Sequence, residues 1–362
     1  MTKRNHREFD WPLVGIVLAL ATVGLANLYS ASVVAERAYH ITQLGRMLAG
    51  LGVAALLAWQ DYRLAARGAY IVWGVVSLLL VAVLAVGTTF NNSTRWLDLG
   101  FFMLQPSEIL KITVVLVAAR YFSDHARPAG YGLADLVAPT ALCAVPVVLV
   151  VLQPDLGTGL VIVFIYGAVC VFAGIRWSAL VGIAASAVAA APLMWAFGMR
   201  DYQRQRVLTF LNPTENLQGD AWQVTQSKIA IGSGQWFGKG FLEGTQVHNG
   251  FVPEHENDFI FAHHGEQFGF VGSVALLLAY FALLLWCLRI ARYGRDRFAV
   301  LCAVGIAAFF FFHVVVNLGM VTGMLPVVGL WLPLASYGGS STLTVFVALG
   351  LLMSISMRRA TF

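Results

Sequence analysis

The chain has 362 residues, of which 59% are hydrophobic and only 11% charged, with a formal net charge of +5. Soluble domains carry about 25% charged residues, so too little polar surface is present to keep this one in water. The basic balance does not read as a nucleic-acid patch, because no basic face is interleaved with aromatics.

The apolar residues come in runs of about 20, the length that spans a bilayer. Ten such runs lie near residues 12–31, 41–59, 69–87, 105–121, 135–153, 156–174, 178–197, 262–288, 298–319 and 340–357. Threading them with the N-terminus in the cytoplasm sorts the basic residues. Lys3, Arg4, Arg7, Arg63, Arg67, Arg120, Arg127, Arg176, Arg289, Arg292, Arg295, Arg297, Arg358 and Arg359 fall inside. The short outer loops keep little beyond Arg37 and Arg95. That is the positive-inside pattern. It predicts an all-α integral membrane protein in the cytoplasmic (inner) membrane, a single polytopic domain over 1–362 with both termini cytoplasmic. The first run follows a basic start, as in a signal peptide, but its length and the nine runs after it favour a first span. Cys143, Cys170, Cys287 and Cys302 lie within apolar runs and read as packing residues.

In chain order, the turn over 88–100 holds Asn91, Asn92, Arg95, Trp96 and Asp98. Trp96 fits an interfacial anchor. Arg95 is either solvated or turned toward a substrate phosphate. Run four opens with Gln105-Pro-Ser-Glu-Ile-Leu-Lys111, where Pro106 suits a first helical turn. Glu108 and Lys111 are three apart and share a face. A charged pair at membrane depth points to a cavity or a functional role, the alternative being a helix-start Glu and a snorkelling Lys. Between runs five and six, Asp155 in Gln153-Pro-Asp155 is either a helix N-terminal residue or a second cavity acid.

The long polar stretch from Met199 to Gly272 is the exception in this greasy chain, and its 199–261 part is expected to be an extracytoplasmic catalytic loop. Asp201–Leu211 is polar with an apolar end and stops at Asn212-Pro213. Residues 219–231 predict a short amphipathic helix on the membrane face. The glycine cluster over 232–240, with Arg206, Lys228 and Lys239 nearby in sequence, suggests a backbone cradle for an anion. The acidic run over 252–261 then brings Glu254, Glu256 and Asp258 up against Phe259-Ile-Phe261. Partial desolvation there would raise the Asp258 pKa and make it a better base. His255, His263 and His264 show no metal-ligand spacing and read as solvated or helix-start histidines. Residues 319–339 hold Pro326, Pro333 and several glycines, so a re-entrant or irregular loop is expected before run ten, ending at Ser336-Tyr-Gly-Gly-Ser-Ser341. Ser340 there is a candidate cavity residue. Irregular backbone at that depth needs protein or a cavity over it.

Outer-face carboxylates with cations and no ATP loop suit a substrate that carries its own activation, such as a lipid-linked sugar pyrophosphate. The carboxylate would take the proton of an attacking hydroxyl, worth about 10²–10⁴-fold. Stabilising the departing pyrophosphate would add to that.

Many ordered motifs carry a resemblance. They are Gln105-Pro-Ser-Glu with Lys111, Gln153-Pro-Asp-Leu-Gly-Thr158, Phe210-Leu-Asn-Pro213, Gln226-Ser-Lys-Ile-Ala-Ile-Gly-Ser-Gly234, Gly238-Lys-Gly240, Gly244-Thr-Gln246, Pro253-Glu254, Asp258-Phe-Ile-Phe261, Asn317 with Gly319-Met320, Leu325-Pro-Val-Val-Gly329 and Ser336-Tyr-Gly-Gly-Ser-Ser341. On these the chain resembles the SEDS proteins (shape, elongation, division and sporulation), and their elongation branch more than their division branch. The resemblance implies a ten-helix peptidoglycan glycosyltransferase that polymerises lipid II outside the cytoplasmic membrane, with a class B penicillin-binding protein as partner. It implies Asp258 as the essential acid and places the family's acidic and basic cavity residues on Glu108, Lys111 and Asp155. It also implies a divalent cation, magnesium or manganese. Here Glu256-Asn257 stands where the family has His-Thr, and Glu266-Gln267 where it has a Glu pair. The rival readings are a lipid II flippase and a non-catalytic scaffold for the cross-linking enzyme.

Overall fold

The computed structural model describes residues 9–90, 93–98, 100, 102–212, 219–252 and 254–359. Lys3, Arg4, Arg7, Asn91, Asn92, Pro213 and Pro253 therefore lie outside the described residues. Helices α1 (Trp11–Ala35), α2 (Tyr39–Trp59) and α3 (Tyr62–Val86) come first. A small antiparallel sheet follows, with strand order β1 (Thr88–Phe90), β2 (Ser93–Asp98) and β3 (Met103–Leu104). Then come α4 (Pro106–Asp124), α5 (Leu133–Leu152), α6 (Leu156–Ala173) and α7 (Trp177–Leu193), which runs on into a π turn over Met194–Gly198. The long loop contains α8 (Asp201–Leu211), α9 (Asp220–Ser233) and the single turn α10 (Thr245–His248). The chain closes with α11 (Ile260–Arg292), α12 (Arg297–Val321) and α13 (Ser340–Ser356).

Helices thus occupy all ten apolar ranges. Eight are long and apolar enough to cross a membrane. The other two are α4, which carries Glu108, Lys111, Arg120 and Asp124, and α13, which has 17 residues.

The centre of the bundle is α4, α6 and α12. Almost every residue of α4 from Pro106 to Ala119 is buried. Small residues let these helices close up. A Cβ on Gly305 of α12 would stand 2.7 Å from Val115 Cγ1 of α4, and one on Gly350 of α13 would stand 2.8 Å from Ala54 Cα of α2. The four cysteines are free and buried in this packing.

Charge gathers at the end of the bundle away from Asp258. Asp10 caps α1 and also accepts from Trp286 Nε1 at 2.8 Å and from Ser356 Oγ. Tyr62 donates to Asp296 at 2.7 Å, and Arg358 donates to the end carbonyls of α2, Ala58 and Trp59, at 3.1 and 2.7 Å. Cations on the last carbonyls of a helix are placed where its dipole favours them.

Residues 322–339 form no helix or strand, as their prolines and glycines predict. Protein covers this stretch: Val327, Leu330, Leu332, Leu334 and Ala335 are all buried. Its backbone polar groups find partners on α12 and on the acidic run, which is the condition for irregular chain at this depth.

Candidate active site

A cavity of about 890 Å³ opens at the end of the bundle where α4, α6, α11 and α13 begin. Its wall includes Gln105 at the start of α4, Asp155–Gly157 at the start of α6, Asn257 and Asp258 just before α11, and Ser340 and Ser341 at the start of α13. The positive ends of four helix dipoles thus face one space, a setting that favours anions. Arg46, Arg95 and Arg206 also line it. Phe102, Met103, Trp96 and Trp331 supply apolar wall.

Asp258 keeps part of its surface on the cavity, with protein around the rest. Loss of water is the main effect pushing its carboxyl up from 3.8 to about 7, and the Glu254 carboxylate adds to it. The Arg206 guanidinium pulls the other way, Asp155 raises it further, and Arg95 lowers it. A carboxyl poised near neutrality and open to a cavity is suited to proton transfer.

The backbone around Asp258 is clamped. Asn317 Nδ2 of α12 donates to Asp258 O at 2.8 Å and to Leu330 O at 2.6 Å. Ser336 Oγ donates to Asn257 O at 2.6 Å and accepts from Leu332 N at 2.8 Å, and Tyr337 N donates to Glu256 O at 2.8 Å. The acidic run and the irregular 322–339 segment are therefore one hydrogen-bonded unit. Gly329 has a φ of +70°, and a Cβ there would lie 3.3 Å from Asp258 Oδ2.

Asp155 satisfies both of its sequence readings. Its Oδ1 caps α6 through Thr158 N at 3.3 Å, and it lies 3.8 Å from Arg95 Nη1 on the cavity wall. Arg95 is not a solvated loop residue: it also donates to the carbonyls of Gln153 and Pro154. Ser340 lines the cavity too, but its Oγ already accepts from Gln105 N at 3.0 Å and donates to Met103 O at 3.1 Å.

Glu108 and Lys111 pair at 2.7 Å, as their spacing predicts. Neither lines the cavity; Glu108 is 3% exposed and Lys111 0%, and Trp331, which bonds Glu108, does line it. Lys228 shares a small neighbouring pocket with Arg206. Lys239 is elsewhere, held by Glu266 at 2.7 Å.

The glycine cluster is not a free anion cradle. Lys239 N and Gly240 N donate to Glu266 O at 3.0 Å and Gln267 O at 3.2 Å, and Phe270 N and Val271 N donate back to Gln235 O and Trp236 O. The glycines plug a break in α11, where Gly269 sits at φ +63°. The amphipathic helix α9 also differs from expectation. Gln226 and Ser227 are buried, Ser227 Oγ donates to Val321 O at 2.7 Å, and Trp222 and Ile229 face outward. Trp96 belongs to strand β2 and to the cavity wall. His263 and His264 are buried at the start of α11, where Gln267 and Asn27 bond them at 2.9 and 3.1 Å. Arg46 and Trp331 were not visible as site residues in the sequence. Arg46 is one cation in an apolar run, and its guanidinium lies 4.4 Å from the Tyr337 ring centroid.

Comparison with known proteins agrees with this architecture. Residues 11–361 match the FtsW, RodA and SpoVE family of cell cycle proteins. The chain is 38% identical to peptidoglycan glycosyltransferase MrdB of Escherichia coli K12, over 99% of this chain and 98% of that one. It is 34% identical to stage V sporulation protein E of Bacillus subtilis 168, covering 96% of each. Among solved structures it is similar to the rod shape determining protein RodA of Thermus thermophilus, with a TM-score of 0.70, 30% identity and 98% of each chain covered. It is also similar to a chain from a peptidoglycan synthase complex described as coordinating polymerization and crosslinking, with a TM-score of 0.83, 33% identity, and 96% and 97% of the two chains covered. A family match over nearly its whole length and relatives above 30% identity lead to one conclusion: the chain belongs to the FtsW/RodA/SpoVE family, the SEDS proteins.

Proposed function

We propose that Asp258 is the general base with which this chain, a peptidoglycan glycosyltransferase of cell elongation, joins lipid II units into glycan strands. The reading rests on one observation: a carboxyl held near neutrality opens onto a cavity that is lined by three arginines and ringed by helix N-termini. The acceptor sugar's hydroxyl oxygen forms the new bond to the donor's anomeric carbon while its proton passes to Asp258. The bond from that carbon to the prenyl pyrophosphate breaks, and the leaving group carries off the negative charge. Arg46, Arg95 and Arg206 are placed to hold that charge, the electrostatic part of such a reaction. Asp155 keeps Arg95 aimed into the space. Lys228 reaches the same region through the pocket it shares with Arg206. Glu108 and Lys111 shape the cavity from behind, and Ser340 joins α13 to the start of α4.

In this reading the 199–261 loop and the cavity face the outside of the cytoplasmic membrane, with both termini inside. A class B penicillin-binding protein, cross-linking the strands made here, is the partner. Asp155 is the cavity carboxylate that would hold a magnesium or manganese ion, which the family implies and which would supply positive charge to the departing pyrophosphate. Among the described residues no group of three or more His, Cys, Asp or Glu side chains is arranged to hold an ion, so no step is assigned to it.

The test is polymerisation of lipid II by the purified chain with its partner, wild type against Asp258→Asn, with and without chelator. Glycan strands from the wild type and none from the variant are expected. Full activity of a well-folded Asp258→Asn, or transport of lipid II across liposomes without polymer, sinks the proposal.

A further inference from the structure

We propose that Trp331 is a sugar platform in the cavity wall, and that the buried Glu108–Lys111–His313 chain serves the reaction by fixing that indole. This rests on the glycosyltransferase reading and deepens it.

Trp331 sits in the irregular 322–339 segment, two residues after Gly329, and lines the same cavity as Asp258. Its position is set from three directions. Indole Nε1–H donates to Glu108 Oε1 at 3.2 Å. The His313 ring lies against it, with centroids 4.1 Å apart and planes tilted by 32°, and Lys111 Nζ lies 5.0 Å from its centroid. Its own carbonyl accepts from His313 Nδ1 at 3.1 Å. That bond puts the His313 proton on Nδ1 and leaves Nε2 to accept from the Lys111 ammonium at 3.2 Å. Lys111 completes the chain by donating to Glu108 at 2.7 Å. Each member therefore bonds two others, and all of them surround one ring.

Glu108, Lys111 and His313 are 3%, 0% and 0% exposed, and none lines the cavity. Trp331, which bonds Glu108 and His313, is the member of the chain that lines the cavity. Burying a charged pair is costly unless it is well partnered, and of the two rings that bond this pair, His313 and Trp331, the indole is the one that lines the cavity. Trp331 and Asp258 line the same cavity. A pyranose offers a face of C–H bonds and an edge of hydroxyls. The electron-rich face of an aromatic ring receives the first, and the carboxylates and guanidiniums around it receive the second, the usual division of a binding site into apolar wall and few polar groups.

The experiment uses the full-length chain and lipid II. Trp331→Leu is expected to raise KM tenfold or more with kcat within threefold of wild type. Trp331→Phe keeps a ring and should stay within threefold in KM. Glu108→Gln, which acts through the indole, should change KM less than twofold in the Trp331→Leu background. A binding measurement guards against a variant that folds poorly. Lipid II added to Asp258→Asn should change tryptophan emission, and Asp258→Asn/Trp331→Phe should lose that change. A Trp331→Leu KM within twofold of wild type, a full Glu108→Gln effect without the indole, or equal emission changes in the two binding variants would overturn the proposal. If the wild type makes no glycan, the polymerase reading fails, while the binding experiment still decides whether Trp331 touches the sugar lipid.

Discussion

Asp258 has to lose its proton to act as a base, and its surroundings set the pH at which it does so. Its carboxyl is raised from 3.8 to about 7 because burial and Glu254 disfavour the charge. Below about pH 7 the acid form dominates and the base is lost; polymerisation should therefore rise with pH through an inflection near 7. The same shift acts on stability with the opposite sign. Its contribution is full below the ordinary carboxylate range and is lost as the pH climbs through about 7. A shift of this size corresponds to roughly 4 kcal/mol. Asp258→Asn, which cannot ionise, should consequently melt at a higher temperature than wild type at pH 8 and at nearly the same temperature at pH 4. A melting point that does not distinguish the two proteins at pH 8 would mean the carboxyl is not raised. Asn317 is the second decisive residue. Replacing it with Leu strips a donor from the carbonyls of Asp258 and Leu330, each costing about 1–3 kcal/mol if left bare. A lower melting point together with a fall in kcat is expected; normal activity in a destabilised protein would separate the clamp from catalysis. Asp258 was legible in the sequence as a candidate base, a carboxylate next to an apolar triplet. Asn317 was legible only as part of a motif, because nothing in its own neighbourhood says which carbonyls it will meet.

At the scale of elements, the break in α11 is the clearest case of two segments completing each other. Gly269 at φ +63° interrupts the helix, and the backbone of the 234–240 turn fills the gap with reciprocal hydrogen bonds. A left-handed conformation is strained for any side chain, by about 1–3 kcal/mol, and a Cβ at Gly269 would also meet Phe237 C at 2.8 Å. Gly269→Ala should lower the melting temperature and cut activity by loosening the run that holds Asp258. Gly232→Ala, where a Cβ meets nothing within 4 Å, is the control and should do neither. Helices were readable because ten apolar stretches of bilayer length leave few alternatives. The glycine turn was readable as an unusual backbone but not for its purpose. A free loop and a helix plug have the same composition, and only the tertiary partner distinguishes them. Helix α9 shows the same limit: its polar residues turned inward because α12 offers Val321 O to Ser227.

For the molecule as a whole, the basic end and the cavity end should lie on opposite sides of the membrane. The native cysteines are buried, so a single introduced thiol reports its own side. Phe237→Cys, at an exposed position near the plug, should react with an impermeant maleimide added to intact cells. Tyr293→Cys, just beyond the basic end of α11, should react only after the membrane is opened. The reverse pattern would place Asp258 on the cytoplasmic side. Charge placement along the chain predicts this sidedness. The cavity's walls were legible only in part: Arg95 and Arg206 stood as candidates in the sequence, whereas Arg46 and Trp331, nearly 300 residues apart, meet only after folding. The amide of Asn317 carries a final implication. Because one side chain grips both the acid's backbone and the unwound stretch beside it, the two move as a unit. A compound wedged beneath residues 322–339 would drag the acid out of alignment from behind, an inhibitor that need never compete with the sugar lipid for its seat.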